Sequence, residues 1–194
     1  MTQLSEHRRI YKMCKSCMRA CYSRKPDGDY IERGAMLLFG TAAHESDGFK
    51  AVRQYGFGDP DDGDLRGGFS WWQVQMGSVS DSMDMLRRKP DLAERCADWL
   101  WQRHGANLYW FDNYTSPVLA TLLMDWQRFG CLFARLHYMR DPNPIPSGLG
   151  RIATYYKDVY NTRLGKATPQ DFTAAWCAFG VPALAAIKGG KRYA

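Results

Sequence analysis

Glu45 lies where an apolar helix gives way to a polar turn, in the stretch "TAAHESDGFKAV" at residues 41–52. Leu38, Ala42 and Glu45 are spaced by four and three residues, so they share one face of that helix. A carboxyl group at the edge of an apolar stripe is partly desolvated, which disfavours its charged form and raises its pKa. Such a group keeps its proton near neutral pH and can act as a general acid. The alternative is a solvated glutamate in the last turn of a helix.

A second candidate feature follows about twenty residues later in "GGFSWWQVQ", residues 67–75. Sugar rings have apolar C–H faces that stack on indoles, and their hydroxyl and N-acetyl groups need directional hydrogen bonds. Trp71, Trp72 and Gln73 offer both kinds of contact. Taken alone, a pair of tryptophans is more often part of a hydrophobic core.

Taken together, these motifs resemble those of the lysozyme-like lytic transglycosylases. The first motif of that family is a glutamate followed by serine, which Glu45–Ser46 matches. The second is a "GLMQ"-type turn, and "GFSWWQV" is similar to it, with Trp71–Trp72 where the family has Leu–Met. The third motif is an Ala-Tyr-Asn-like helix end, for which Leu136–His137–Tyr138 is the positional counterpart without the asparagine.

The resemblance implies an enzyme that cleaves the β-1,4 bond between N-acetylmuramic acid and N-acetylglucosamine. Glu45 would protonate the glycosidic oxygen and then take the C6 hydroxyl proton as a 1,6-anhydro ring closes. Gln73 and Tyr138 would orient the N-acetyl group or the cationic centre. No metal or other cofactor is implied, and the predicted substrate-binding residues are Ser46, Ser70, Trp71, Trp72, Gln73, His137 and Tyr138.

The C-terminal half resembles virion proteins of tailed bacteriophages in "ARLHYMRDPNPIP" and "YYKDVYNTRLGKATPQDF". This resemblance implies a protein made in the host cytoplasm, carried in the virion and active at the host cell wall. Its implied partners are peptidoglycan strands and other virion proteins, including further copies of this chain. The alternative function is a catalytically inactive structural protein, such as a tail adaptor or an ejected protein, on a lysozyme-like fold.

The residues bear on several other chemistries. A hydrolase would need a second carboxylate to activate water, for which Asp62 and Asp64 are the candidates. The acidic run that holds them lacks the spacing of a calcium loop. A zinc-protease H-E-x-x-H motif is excluded because Gly48 stands where the second histidine is required. Cys131 with His137 is a further possible nucleophilic pair.

Composition predicts one domain, since 194 residues can bury a sizeable core. The net charge of +6 suits an anionic partner such as a cell-wall polymer, and no nucleic-acid-binding motif accompanies it. We expect no transmembrane segment and no signal peptide. Cys14, Cys17 and Cys21 have the spacing C-x2-C-x3-C; a helix would place them on one face as reduced packing residues, and zinc or an iron–sulfur cluster is the alternative.

The elements that must position these residues are mostly helices. Capping residues, prolines and three- and four-residue apolar steps predict helices over about 4–23, 31–46, 91–103, 117–140, 149–160 and 169–179. The segment "GFSWWQVQM" is predicted to be a short strand or an irregular edge. We therefore expect a mainly α, lysozyme-like globule with little or no β-sheet over residues 1–180, in which residues 1–25 form a basic helix. Residues 181–194 are predicted to be a basic, flexible tail.

Overall fold

The computed structural model describes residues 2–24, 26–58, 60–104, 116–162 and 165–189, and these are mainly helical. The helices are α1 Gln3–Ala20, α2 Gly28–Glu45, α3 Met76–Arg88, α4 Pro90–His104, α5 Ser116–Asp125, α6 Gln127–Tyr138, α7 Leu149–Tyr156, α8 Pro169–Ala175 and α9 Val181–Gly189. A π-helical turn, Lys157–Asn161, continues α7, and a second one, Trp176–Gly180, joins α8 to α9. The predicted mainly α class is confirmed. Helix α3 was not predicted from the sequence.

A two-stranded hairpin is the only sheet among the described residues. Strand β1 Gly68–Phe69 pairs antiparallel with β2 Val74–Gln75. A side chain at position 68 would overlap the backbone of Gln73, so a glycine is needed for this tight reversal. The prediction of a short strand in this segment is confirmed.

Helix α2 lies at the centre of the fold and carries Glu45 at its end. Its consecutive residues Leu37, Leu38 and Phe39 are all fully buried. Helices α1, α6, α7 and α8 and the second π turn pack around it. A helix that is apolar on every side requires such enclosure, and this places the end of α2 against α7.

The predicted single helix over 117–140 is wrong, because the chain breaks at Trp126 (φ −115°, ψ 88°) into α5 and α6. Gln127 opens α6 and explains the break. Its side-chain nitrogen donates to the carbonyl of Met124 at 2.6 Å, and its Oε1 accepts the backbone N–H of Trp71 at 3.0 Å. The break therefore lets one side chain tie α6 to the hairpin.

Cys14 and Cys17 of α1 and Cys21, directly after its last residue, are buried, as predicted for packing residues. All six cysteines are free thiols, and Cys177 is the one that is exposed. Burial raises the pKa of the Cys17 thiol, which is the expected effect of an apolar environment on a group that would become charged.

The prediction of a flexible tail from residue 181 is wrong over its first half, since α9 continues to Gly189; residues 190–194 lie outside the described residues. By length and composition, one helix among the described residues, Pro169–Gly189, could cross a membrane, although we predicted no such segment. Only 22% of its most apolar window is buried. Core helices of soluble proteins meet the same criterion, so the length and composition do not identify a span.

Candidate functional site

Glu45 is the last residue of α2, and the chain reverses directly after it. Asp47, Gly48 and Phe49 all have positive φ, at 51°, 72° and 68°. Left-handed backbone is costly for residues other than glycine, and it persists where the surrounding structure holds it. The sharp reversal ends the helix and leaves Glu45 facing the neighbouring helix α7.

Ser46 holds this reversal and does not face a ligand. Its side chain is fully buried, its hydroxyl donates to the carbonyl of Ala42 at 2.6 Å, and it accepts the N–H of Phe49 at 2.8 Å. Both hydrogen bonds are local, as is typical of serine at a helix end. The expectation that Ser46 binds substrate is therefore corrected, because its hydroxyl is inaccessible and already paired.

Two side chains from the end of α7 and its π turn contact Glu45. The hydroxyl of Tyr156 donates to Glu45 Oε1 at 2.6 Å. Asn161, at the end of the π turn, lies beside the same carboxyl group, and its polar side chain favours the charged form. Both partners are neutral, so they stabilise the carboxyl group without forming an ion pair.

The environment of Glu45 favours its protonated form. Burial raises the pKa of the Glu45 carboxyl above its ordinary value, and the hydrogen bonds from Tyr156 and Asn161 oppose this rise. Burial also raises the pKa of Tyr156, so its phenol stays neutral and serves as a donor. The neighbouring His44 has a pKa lowered by burial, so it adds no positive charge near neutral pH. A carboxyl group in this setting is suited to general acid chemistry.

An aromatic column runs beside Glu45. Successive rings stack with centroids 5.0–6.3 Å apart, in the order Tyr155, Tyr138, Tyr160, Tyr156 and Phe172. Stacking at such distances fixes the orientation of each ring. The column therefore holds the hydroxyl of Tyr156 against the carboxyl group.

The structure places Tyr138 in this column, yet its hydroxyl pairs with Thr41 at 2.7 Å. Thr41 already donates to the carbonyl of Leu37 at 2.8 Å, so Tyr138 is the donor in the pair. Its hydroxyl is thus occupied within the core. The expectation that Tyr138 orients substrate beside Glu45 is corrected, and Tyr156 occupies that position.

Trp71 and Trp72 pack in the core. Trp72 is 0% exposed, and its indole N–H donates to the carbonyl of Leu38 at 2.8 Å. Trp71 is 8% exposed. The expectation that Trp72 stacks on a sugar is corrected, since its fully buried ring has no free face and instead anchors the hairpin to α2. Trp71 lines a cavity of about 460 Å³ with residues of α1 and α6, so its contact with a sugar stays a prediction.

The other two hairpin candidates also serve the hairpin itself. Ser70 is fully buried, and its Oγ accepts the backbone N–H of Trp72 at 3.2 Å. Gln73 donates its side-chain N–H to the carbonyl of Ser70 at 2.8 Å. Its Oε1 is buried and has no hydrogen-bond partner among the described residues. Ser70 therefore cannot reach a ligand, and Gln73 has one acceptor atom left unpaired.

His137 joins α6 to α3 and to the π turn. Its Nε2 lies 3.0 Å from the carbonyl of Val159 and its Nδ1 lies 2.6 Å from the hydroxyl of Ser78. Because a carbonyl only accepts, Nε2 carries the proton and Nδ1 accepts from Ser78. Burial lowers the pKa of His137, which favours this neutral form. Both nitrogens are occupied, so the expected substrate contact is corrected to a structural one.

Tyr156 and Asn161 were not predicted from the sequence. A signal was present, because Val159–Tyr160–Asn161 has the Tyr-Asn pair of an Ala-Tyr-Asn-like helix end and lies at the end of a helix. Tyr160 connects this end to the hairpin by donating its hydroxyl to the carbonyl of Trp72 at 2.7 Å. Tyr156 and Asn161 thus lie against Glu45, whereas the hydroxyl of Tyr138 is paired with Thr41.

The second-carboxylate candidates lie in a differently organised loop. Asp64 accepts hydrogen bonds from Arg66 Nε at 2.9 Å and from the N–H of Gly58 at 2.9 Å. These hydrogen bonds hold the pKa of Asp64 well below its usual range, and the bond from the Arg66 side chain has the largest effect. Asp62 is exposed. Asp64 is therefore committed to holding the loop.

The alternative nucleophilic pair is not formed. Cys131 is fully buried, and burial raises the pKa of its thiol. His137 is bonded to Ser78 and Val159, as described above. A thiol without a base to activate it is a poor nucleophile.

No group of three or more histidine, cysteine, aspartate or glutamate side chains is arranged to hold a metal ion within the described ranges. Comparison with protein-family models, curated proteins and solved structures gave no match. The case for a function therefore depends on the site itself.

Proposed function

We propose that this protein cleaves peptidoglycan glycan strands at the β-1,4 bond between N-acetylmuramic acid and N-acetylglucosamine. Glu45 is the acid and then the base. The observation that carries this proposal is the half-buried carboxyl group of Glu45 at a helix end, which accepts a hydrogen bond from Tyr156 Oη at 2.6 Å and has the Asn161 amide beside it. This environment raises the pKa of the carboxyl group, as a general acid near neutral pH requires.

The two halves of the reaction need opposite protonation states of Glu45. In the first, its proton passes to the glycosidic oxygen while the bond from that oxygen to C1 of the muramic residue breaks. In the second, the carboxylate takes the proton of the C6 hydroxyl while O6 bonds to C1 and closes the 1,6-anhydro ring. Tyr156 and Asn161 stabilise the intervening carboxylate, since hydrogen bonds to a charged acceptor are stronger than those to a neutral one.

A hydrolytic outcome is the less favoured form of this proposal. Hydrolysis with inversion or through a covalent intermediate uses a second carboxylate near the bond. Asp64 is engaged by Arg66 and Gly58. Proton return through Glu45 alone is consistent with a lytic transglycosylase.

The setting we propose is the virion of a tailed bacteriophage, with action at the host cell wall during infection. The net charge of +6 supports attraction to an anionic wall. The partners would be peptidoglycan strands and neighbouring virion proteins.

The experiment is mass spectrometry of muropeptides released from purified peptidoglycan. Wild-type protein should yield 1,6-anhydro products, and Glu45→Gln should yield none while retaining its circular dichroism spectrum and thermal midpoint. Glu94→Gln is the matched control, because Glu94 is an exposed glutamate on α4 and should leave the products unchanged. Hydrated products would assign a hydrolase, and a Glu45→Gln variant as active as wild type would refute the role of Glu45.

One observation favours a second candidate function, that of an inactive structural protein of the particle. The helix Pro169–Gly189 is apolar, yet only 22% of its most apolar window is buried, and Val181 is 49% exposed. An exposed apolar face is typical of an interaction surface. A folded wild-type protein that releases no muropeptide would support this candidate.

A further inference from the structure

Lys157 fixes the orientation of the Asn161 amide. The ammonium of Lys157 donates to Asn161 Oδ1 at 2.9 Å and to the carbonyl of Gly165 at 2.7 Å. An ammonium has donors only, so the amide must present its oxygen to Lys157. The side-chain NH₂ of Asn161 is then the group that faces Glu45.

The π turn brings the two partners of Glu45 to the same side. Tyr156 and Asn161 are five residues apart, and in an α-helix residues at that spacing point roughly 140° away from each other. A π-helical turn is wider, with i→i+5 hydrogen bonds, so residues five apart lie on the same side of it. The local widening over Lys157–Asn161 therefore explains how one helix end brings both side chains to Glu45.

Gly165 packs directly against the side chain of Asn161. A Cβ atom at position 165 would overlap Oδ1 and Cγ of Asn161 and would lie 2.5 Å from its backbone oxygen. Only a glycine leaves room for the amide here. Lys157, Asn161 and Gly165 thus form one packed unit behind the carboxyl group.

We propose that Lys157 and Gly165 are positioning residues that hold the Asn161 amide with its NH₂ donating to Glu45. The catalytic role of this hydrogen bond depends on the proposed function, because the bond would stabilise the Glu45 carboxylate that acts as the base in ring closure. Neither residue contacts Glu45 in this scheme. Lys157 acts through Asn161, and Gly165 provides the space.

The other titratable groups near Glu45 do not substitute for this bond. They are Tyr156 and Tyr160 from α7 and its π turn, Tyr138 from α6, His44 on α2 itself and, facing His44, Asp171 of α8. Burial raises the pKa of each tyrosine and lowers that of His44, so these four are neutral near pH 7. Among them, the donor to Glu45 is Tyr156.

The test is a ¹³C NMR titration of the Glu45 carboxyl in Lys157→Met, Lys157→Arg and the matched control Lys166→Met. Lys166 is an exposed lysine nearby. Removing the ammonium frees the Asn161 amide to rotate, so Lys157→Met should move the Glu45 titration upward. Lys157→Arg retains a donor and should return the Glu45 titration to its wild-type position. In Lys166→Met, Glu45 should titrate as it does in wild type. An unchanged titration in Lys157→Met would overturn the proposal.

A measurement on the wild-type protein keeps the proposal testable if Lys157→Met does not fold. The side-chain NH₂ protons of Asn161 should show nuclear Overhauser contacts to the Glu45 methylenes. Contacts to the Lys157 methylenes instead would mean that the amide is reversed, and the proposal would fall.

Activity separates this proposal from the proposed function. With peptidoglycan as substrate, Lys157→Met should lower kcat about three- to tenfold with KM unchanged, which is the loss expected for one hydrogen bond. The basic limb of its pH–rate profile should shift upward, because Glu45 would hold its proton to higher pH. If wild type is inert but Glu45 titrates in the variants as predicted, the proposed function fails and the positioning role stands. If wild type is active but the Glu45 titration is unchanged in Lys157→Met, the proposed function stands and the positioning role fails.

Discussion

Two carboxyl groups, Glu45 and Asp64, have opposite environments in this protein. Glu45 is half-buried at the end of α2 beside neutral polar groups, and desolvation raises its pKa. Asp64 lies in the loop before the hairpin, bonded to Arg66 and to backbone N–H groups, and its pKa is lowered. Burial dominates in the first case and hydrogen bonds from a cation dominate in the second.

The difference shows why only Glu45 is suited to proton transfer. A carboxyl group held by arginine releases its proton far below neutral pH and cannot supply one to a leaving group. One held by tyrosine and asparagine can cycle between acid and base, because neither partner carries a charge that fixes its state. The following predictions test this contrast between the two sites.

The largest effect should separate the two groups by activity. Glu45→Gln should lower the rate of dye release from labelled peptidoglycan at least about 10³-fold, as expected for loss of a general acid and base. Asp64→Asn should remain within about threefold of wild type at a temperature where both are folded. A large loss in Asp64→Asn would instead assign it the water-activating role of a hydrolase.

Tyr156→Phe should have a smaller effect at the same site. It removes the O–H donor to Glu45 and should lower kcat about tenfold, because a hydrogen bond to a charged group is involved. The carboxylate loses a stabilising donor, so the basic limb of the pH–rate profile should move to higher pH. Tyr155→Phe is the matched control from the same aromatic column, and an equal loss in that variant would contradict the specific role of Tyr156.

At the other site, Asp64→Asn should lower the thermal midpoint at neutral pH. Because the pKa of Asp64 is lowered by folding, its ionised form stabilises the native state above its ordinary pKa. That stabilisation is lost as the pH falls through the folded value. Thermal melts from pH 7 to pH 2 should therefore show wild type and variant converging in acid. A constant difference at every pH would mean that the ionisation of Asp64 contributes nothing.

The smallest effect concerns the stability of Glu45→Gln, and its pH dependence is opposite in sign to that of Asp64→Asn. Since folding raises the pKa of Glu45, the unfolded chain releases this proton at a lower pH than the folded protein does. The free energy of unfolding of wild type should therefore fall, relative to the variant, as pH rises from the ordinary glutamate value to the folded value. Each pKa unit corresponds to about 1.4 kcal/mol. Urea titrations at several pH values measure this, and a wild-type stability that rises relative to that of the variant as pH rises would contradict the raised pKa.

The sequence predicted what is local at this site. The three- and four-residue spacing of Leu38, Ala42 and Glu45 correctly indicated a carboxyl group on the apolar face of a helix. The identity of its partners was not predicted, because Tyr156 is 111 residues away along the chain. No local pattern states which of several tyrosines will meet a given glutamate. The π turn that aligns Tyr156 with Asn161 also has no clear composition signal.

Burial was the other quantity that the sequence left undetermined. A tryptophan such as Trp72 can either stack on a sugar or anchor a hydrophobic core. Its hydrogen bond to the carbonyl of Leu38 identifies it as a core anchor. The break at Trp126 was missed because the apolar spacing continues through it. Its cause is a contact between Gln127 and the distant hairpin.

The contrast between Cys177 and the five buried cysteines makes the protein convenient to label. A maleimide reagent meets one accessible thiol on the native fold, so a fluorophore can be attached there without replacing any residue. Cys177 lies in the π turn between α8 and α9, on a different segment from the residues that contact Glu45. Single-molecule fluorescence of protein labelled in this way would count the copies that assemble with one another.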